Sequence, residues 1–206
     1  MANVEAVVFD IGNVLIEWNP ERFYDAEIGP DRRRAMFDAV DLHDVNDRVD
    51  RGGNFRDTIY AAAEATPEWA DEIRMWHDRW IELASPSIDR SVAVLDALRS
   101  NGVQVFALSN FGIESFAYAE TQYPFLGNFD RRYISGHMGV VKPYPEIYQK
   151  MEADCGVAPA GLLFADDRQE TLDAAAARGW QTHLFEGPDG WAARLIAEGL
   201  LREGQA

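Results

Sequence analysis

"VVFDIGNVLIEW", residues 7–18, decides how the chain folds. Val7, Val8 and Phe9 run straight into one acid, Asp10, and then into a turn around Gly12 and Asn13. A short apolar run bounded by turn residues reads as a strand buried on both faces. A carboxylate at the end of such a strand is a costly place for a charge unless something compensates it. With its upstream residues this first strand covers 4–10. Four further runs share its character: "VQVFALSN" (103–110), "RRYISG" (131–136), "GLLFADD" (161–167) and "WQTHLFE" (180–186). Helix-period stretches lie between them. Residues 91–102 repeat Val92, Leu95 and Leu98 and stop at Asn101-Gly102; 145–156 open on Pro145 and close on Gly156; 168–179 are Ala-rich and close on Gly179. Strands alternating with helices predict an α/β fold, a Rossmann-like parallel sheet with helices on both faces.

Residues 17–88 have a different texture. They show no clear strand and read as helices: "PERFYDAE", "DRRRAMFDAV", "FRDTIYAAAEA" and "PEWADEIRMWHDRWIELA". In the last, Trp69, Ile73, Trp76 and Trp80 recur at three- and four-residue spacing, which marks a helix-packing face rather than a ligand cage. The expected organisation is a core formed by 1–16 and 89–206, with 17–88 inserted after the first strand as a small all-helical cap. The basic cluster Arg32 to Arg34 at a helix start reads as a solvated face.

Composition limits the partners. The chain has 206 residues, 47% hydrophobic and 26% charged, enough for one globular domain with an insert. Against 35 acidic residues stand 19 basic ones, a formal charge of −16. Such a surface repels nucleic acid and anionic membranes, so neither is expected as a partner. It also repels phosphorylated small molecules, so a site for one needs a local cation. A single cysteine, Cys155, excludes an internal disulfide and reads as structural. No basic leader with a long apolar run and no apolar stretch of spanning length is visible, which predicts a cytoplasmic protein, monomeric or homodimeric.

Three strands end in polar or acidic residues: Asp10, then Ser109-Asn110, then Asp166-Asp167. In open α/β sheets ligands bind outside the carboxyl ends of the strands, so these residues have a structural reason to converge. A lone strand-end Asp is most often a turn or cap residue; a metal ligand, a base and a nucleophile are the other options. Ser109, Asn110 and the following backbone N–H groups are able to donate to an anion. Lys142, just before Pro143 in "GVVKPYPEIY", is a cation in a constrained loop, although a lysine taken alone is an ordinary surface residue. The adjacent acids Asp166 and Asp167 need a compensating cation, and oxygen-rich clusters suit Mg2+.

The ordered set "FDIGNVL", "LSN", "VVKPYPEIY" and "FADD…DAA" resembles the four motifs of the haloacid dehalogenase-like superfamily, in the form that carries a helical cap after the first strand. The resemblance covers nearly the whole chain. It is closest to the small bacterial sugar-phosphate phosphatases, the alpha-glucose-1-phosphate type among them, which share the Asp-hydrophobic-Gly-Asn-Val first motif. It implies a Mg2+-dependent hydrolase of a small phosphate monoester, a sugar phosphate among the candidates. Asp10 would then be the nucleophile that forms an aspartyl-phosphate, and Ser109 with Asn110 would bind the phosphoryl oxygens. Lys142 would bridge Asp10 and the phosphoryl group. Asp166, Asp167, a carboxylate oxygen of Asp10 and the Gly12 carbonyl would hold the metal. Glu170 and Thr171 match the family's last motif only imperfectly.

Gly12 departs from the commonest pattern. Most phosphatases of this family carry a second Asp there, which protonates the leaving group and later activates water. Such help is worth about 10²–10⁴-fold. Gly12 keeps the backbone carbonyl and loses the proton. Three readings follow: a phosphatase whose leaving group needs little acid help or finds it elsewhere; a metal-independent 2-haloacid dehalogenase with the same Asp nucleophile; or a non-catalytic binding module. The pair Asp166-Asp167 favours the first, because the family's dehalogenases typically replace it with Ser- and Asn-type residues. Those enzymes also use a cap arginine for the substrate carboxylate, and none of Arg22, Arg32, Arg48 and Arg51 stands out by spacing. For substrate selection the sequence offers Trp18 and Asn19 where the insert begins, and "HDVNDRVDRGGNF" (43–55), with Gly52-Gly53 as a bend in a loop reaching over Asp10. An ordinary turn between helices is the plainer reading of that bend. Of His43, His77, His137 and His183, only His137 lies just ahead of the Lys142 loop.

Overall fold

The computed structural model describes residues 3–205. Its elements run β1 (Ala6–Phe9), β2 (Ile16–Trp18), α1 (Pro20–Ile28), α2 (Pro30–Ala39), α3 (Leu42–Asp50), α4 (Phe55–Ala65), α5 (Ala70–Asp78), α6 (Trp80–Leu83) and β3 (Ala84–Ser87). The chain continues with α7 (Asp89–Ser100), β4 (Gln104–Ser109), α8 (Ile113–Gln122), β5 (Arg131–Ile134), α9 (Ser135–Met138), α10 (Pro145–Cys155), β6 (Leu162–Asp166), α11 (Gln169–Ala176), β7 (Gln181–Leu184) and α12 (Pro188–Ala197).

The five runs first picked out as strands form one sheet, ordered β5-β4-β1-β6-β7 and parallel throughout. β1 is central, with Phe9 paired to Ala107 on one side and Ala165 on the other. Alternating residues serve opposite faces. Val7, Phe9, Val105, Ala107, Leu163 and Ala165 pack with Val94, Leu95 and Leu98 of α7 and Trp191 and Leu195 of α12. Ala6, Val8, Phe106, Leu108, Leu162 and Phe164 pack with Ile147, Tyr148 and Met151 of α10 and Leu172 of α11. This period of two between two helical layers is the expected Rossmann-like core. From β1 the chain builds outward to β4 and β5, then returns to build β6 and β7 on the other side. The strand order therefore reverses at β1, and the crevice of such a sheet lies at the carboxyl ends of β1, β4 and β6.

The insert differs from expectation in three places. It is not strand-free: β2 and β3 pair antiparallel at its two ends, Ile16 opposite Ser87 and Trp18 opposite Ala84. The Asn19 N–H to the Leu83 carbonyl and the Ile88 N–H to the Leu15 carbonyl extend the pairing. Strands of three and four residues carry too little pattern to be seen in a sequence. The stretch 43–55 is mostly helix rather than loop, because Leu42, Val45 and Val49 form a buried stripe that makes α3. The bend at Gly52-Gly53 follows it, with Gly52 at φ +100°. The Trp-rich stripe is broken after Asp78 into α5 and α6. Trp69, Ile73, Trp76 and Trp80 are all buried, as a packing face requires.

Candidate active site

The carboxyl end of β1 delivers Asp10 into a cavity of about 250 Å³ lined from both the sheet and the helical insert. Asp10 Oδ1 accepts three hydrogen bonds: from the Ile11 N–H (2.7 Å), from the Ser109 hydroxyl (2.7 Å) and from Lys142 Nζ (2.9 Å). Its Oδ2 accepts none from the described residues. One oxygen is thus locked while the other keeps its lone pairs available. β6 ends one strand away in Asp166, fully buried, whose Oδ2 meets Lys142 Nζ at 2.6 Å. The next residue, Asp167, accepts from the Asn13 side-chain amide at 3.0 Å.

Lys142 is buried, not the surface residue a lone lysine suggests. Burial works against its charge, but Asp10 and Asp166 hold its pKa above the ordinary lysine value. Its loop is fixed by Asn110, whose Oδ1 accepts from the Lys142 N–H (2.7 Å) and whose Nδ2 donates to the Lys142 carbonyl (3.0 Å). Asn110 lines the cavity, but these two bonds are what it makes.

One ammonium faces three carboxylates. Burial pushes Asp166 up to about 6, with Lys142 pulling it back down. Asp167 is likewise raised, by burial first and the Asp10 charge second. Oxygens of Asp10, Asp166 and Asp167 all lie within 4.8 Å of one another. No hydrogen bond of the described residues ends on the Gly12 carbonyl beside them. A cluster two negative charges out of balance, made only of oxygen donors, fits a small hard divalent cation.

Asn13 is one residue whose role the sequence reading missed. It is the one non-glycine described residue at positive φ (+55°), a conformation Asn tolerates better than most. There its Oδ1 accepts from the Trp18 N–H while its Nδ2 orients Asp167. Trp18 lines the cavity, and so do Trp80 and Phe111, which form an aromatic wall with ring centroids 5.4 Å apart. The wall was not foreseen because Trp80 reads as pure packing.

The insert contributes His43, Asn46, Asp47 and Asp50 from α3. His137 is exposed and does not line the cavity; His43 does, bonded to Glu21 at 3.1 Å. None of Arg22, Arg32, Arg48 and Arg51 lines it either. All four sit in surface ion pairs, with Glu17, Glu72, Asp44 and Asp47.

The chain is similar to several known proteins. D-ribitol-5-phosphate phosphatase of Bacteroides thetaiotaomicron is 24% identical over 213 residues, covering 93% of this chain and 97% of its own. The sesquiterpene phosphatase astK of Aspergillus oryzae is 24% identical over 178 residues, covering 85% and 86%. A crystal structure of a HAD family enzyme from Bacteroides thetaiotaomicron superposes with a TM-score of 0.75 at 21% identity, covering 94% of this chain and 99% of that one. The same enzyme in complex with magnesium and inorganic phosphate gives 0.68 at 20%, covering 88% and 93%. The family pattern of haloacid dehalogenase-like hydrolases matches residues 4–179, and the chain belongs to that family.

Proposed function

We propose that the chain is a Mg2+-dependent phosphatase of small phosphate monoesters, working through an aspartyl-phosphate on Asp10. The observation that carries this reading is the charge arrangement: three converging carboxylates around one buried lysine, with one Asp10 oxygen left unbonded by the described residues. Asp10, Asp166, Asp167 and the Gly12 carbonyl would hold Mg2+, which when bound supplies positive charge to the transferring phosphoryl oxygens. Ser109 and Lys142 locate Asp10 and offer donors to the same oxygens. Asp10 Oδ2 attacks phosphorus in line, the ester oxygen departs on the opposite side, and water then releases phosphate. Residues 17–88 act as the cap, with Trp18, Trp80 and Phe111 as the apolar surface against which the leaving group rests.

Two relatives named as phosphatases support the reaction class. Their named substrates, a sugar-alcohol phosphate and a sesquiterpene phosphate, differ so widely that they leave the leaving group open, and the alpha-glucose-1-phosphate type has no separate support. Gly12 keeps a second reading alive, metal-independent 2-haloacid dehalogenation. The absence of any cap arginine from the cavity's described lining weighs against it. The assay is a panel of aryl phosphates, polyol phosphates and 2-chloropropionate, with Mg2+ and with EDTA. Phosphate release dependent on Mg2+ is expected, lost by at least about 10³-fold in Asp10→Asn. Halide release that survives EDTA would favour the second reading.

A further inference from the structure

Gly12 has no side-chain proton to give the leaving group, so that proton must come from elsewhere in the cavity. In-line transfer puts the ester oxygen on the far side of phosphorus from Asp10, toward the helical wall. Among the described residues lining that wall, the groups able to give up a proton are His43, Asp47 and Asp50. His43 stands half out in solvent against Glu21. Asp47 is spent on Arg51, at 2.6 Å. Asp50 differs from both. It is the last residue of α3, lines the cavity, and pairs with no lysine, arginine or histidine among the described residues.

Resting on the phosphatase reading, we infer that Asp50 is the general acid–base of this enzyme, standing in from the cap for the acid missing at position 12. Its carboxyl is held rather than free. Asn46 Nδ2 donates to Asp50 Oδ2 at 2.9 Å, and the Gly112 N–H also reaches this carboxyl. The Asn46 amide cannot flip without loss, because its Oδ1 accepts from Trp76 Nε1 at 2.9 Å and Trp76 is fully buried. The charged groups around it are Asp47 one turn back and Asp10 across the cavity, both of like sign. Arg51 turns away to Asp47 and the Tyr144 ring, and Glu114 turns to Asn54 and the Phe55 N–H. Burial first, then Asp47, push the Asp50 carboxyl up to about 7, so it holds a proton where most carboxyls have lost theirs.

Protons balance over the cycle. As the Asp10 Oδ2–P bond forms and the ester P–O bond breaks, the leaving oxygen takes the Asp50 proton and departs as the alcohol. Asp50, now a carboxylate, accepts a proton from the water that attacks phosphorus. The Asp10–P bond breaks, phosphate leaves, and both residues return to their starting forms.

The test is a series of aryl phosphates of rising phenol pKa (4-nitrophenyl, phenyl, 4-methoxyphenyl), assayed with Mg2+ across pH. For Asp50→Asn we expect kcat/KM to fall about 10²–10³-fold on the two poor leaving groups and less than about 10-fold on 4-nitrophenyl phosphate. The alkaline limb of the kcat/KM profile, set in wild type by loss of the Asp50 proton, disappears. In Asn46→Ala the limb moves to higher pH, because the bond that favours the ionised form is gone; this holds whether or not Asp50→Asn folds well. An equal loss across the series, or a limb unmoved in Asn46→Ala, overturns the assignment and leaves Asp50 as a mere tie between α3 and α8. A wild-type enzyme inert on the whole series would instead take down the phosphatase reading, and this inference with it.

Discussion

At the scale of single residues, the site is a problem in charge placement. Asp10 has its Oδ1 fixed by a backbone N–H, a hydroxyl and an ammonium, so only Oδ2 is open to chemistry. Gly12 is small without being forced to be: a Cβ built there would meet Trp18 Cβ at 3.9 Å as its nearest neighbour, an ordinary contact. The backbone at position 12 therefore has room for a side chain to begin. With Asp50 as proton donor, an acid at position 12 is nearly redundant in the native chain but restores turnover of phenyl phosphate by roughly tenfold or more in the Asp50→Asn background. Equal gains in the two backgrounds would contradict the link between the two positions. Asp10, Ser109, Asp166 and Asp167 were legible in the sequence because each stands at a strand end, where topology brings it to the crevice; Lys142 was legible only through the resemblance of "VVKPYPEIY" to a family motif. Asn13 and Asp50 were not, because their importance comes from tertiary partners: the Asp167 carboxylate for one, the Asn46 amide and the Asp10 charge for the other.

At the scale of elements, one wall of the cavity is α3, whose end lies against Gly112 at the start of α8. Gly112, just before α8, is what permits it. A Cβ there would stand 2.5 Å from Val49 Cγ1 and 2.9 Å from Ser115 Oγ. One turn away, a Cβ on Gly52 would stand 2.8 Å from the Gly136 carbonyl oxygen, at a φ that already disfavours other residues. Val49 is fully buried, so the strain has little room to relax. Gly112→Ala should destabilise the fold by about 1–3 kcal/mol and raise KM, since α3 must move off α8 and take Asn46 and Asp50 with it. Urea unfolding and steady-state kinetics check this; unchanged stability and KM would show that the two helices are not so tightly fitted. The helices of the insert were mostly visible as apolar periodicity. α3 was not, because its stripe rests on three residues set among charged ones, and β2 and β3 are too short to announce themselves.

At the scale of the molecule, a chain of net charge −16 gathers three of its acids, Asp10, Asp166 and Asp167, into one tight cluster. Folding brings those carboxylates together, and a cation that binds only the folded state then stabilises it by mass action. At a hundredfold excess over its Kd, Mg2+ should raise Tm by roughly 5–10 °C. Asp167→Asn should abolish most of the shift; an equal shift in the variant would place the ion elsewhere. No helix of the described residues is long and apolar enough to cross a membrane. The α/β class and the order of the site residues were readable from five apolar runs, whereas the cavity's aromatic wall required knowing that Trp18, Trp80 and Phe111 meet. The strand pair at the two ends of the insert has one further consequence. Because Ile16–Trp18 and Ala84–Ser87 lie side by side, the polypeptide leaves the sheet and returns to it at a single point. Topologically the whole helical segment is the oversized loop of one hairpin, and lengthening a loop costs little once its ends are joined. That makes the ribbon a natural graft point, where one lid can be exchanged for another while the catalytic sheet keeps its register.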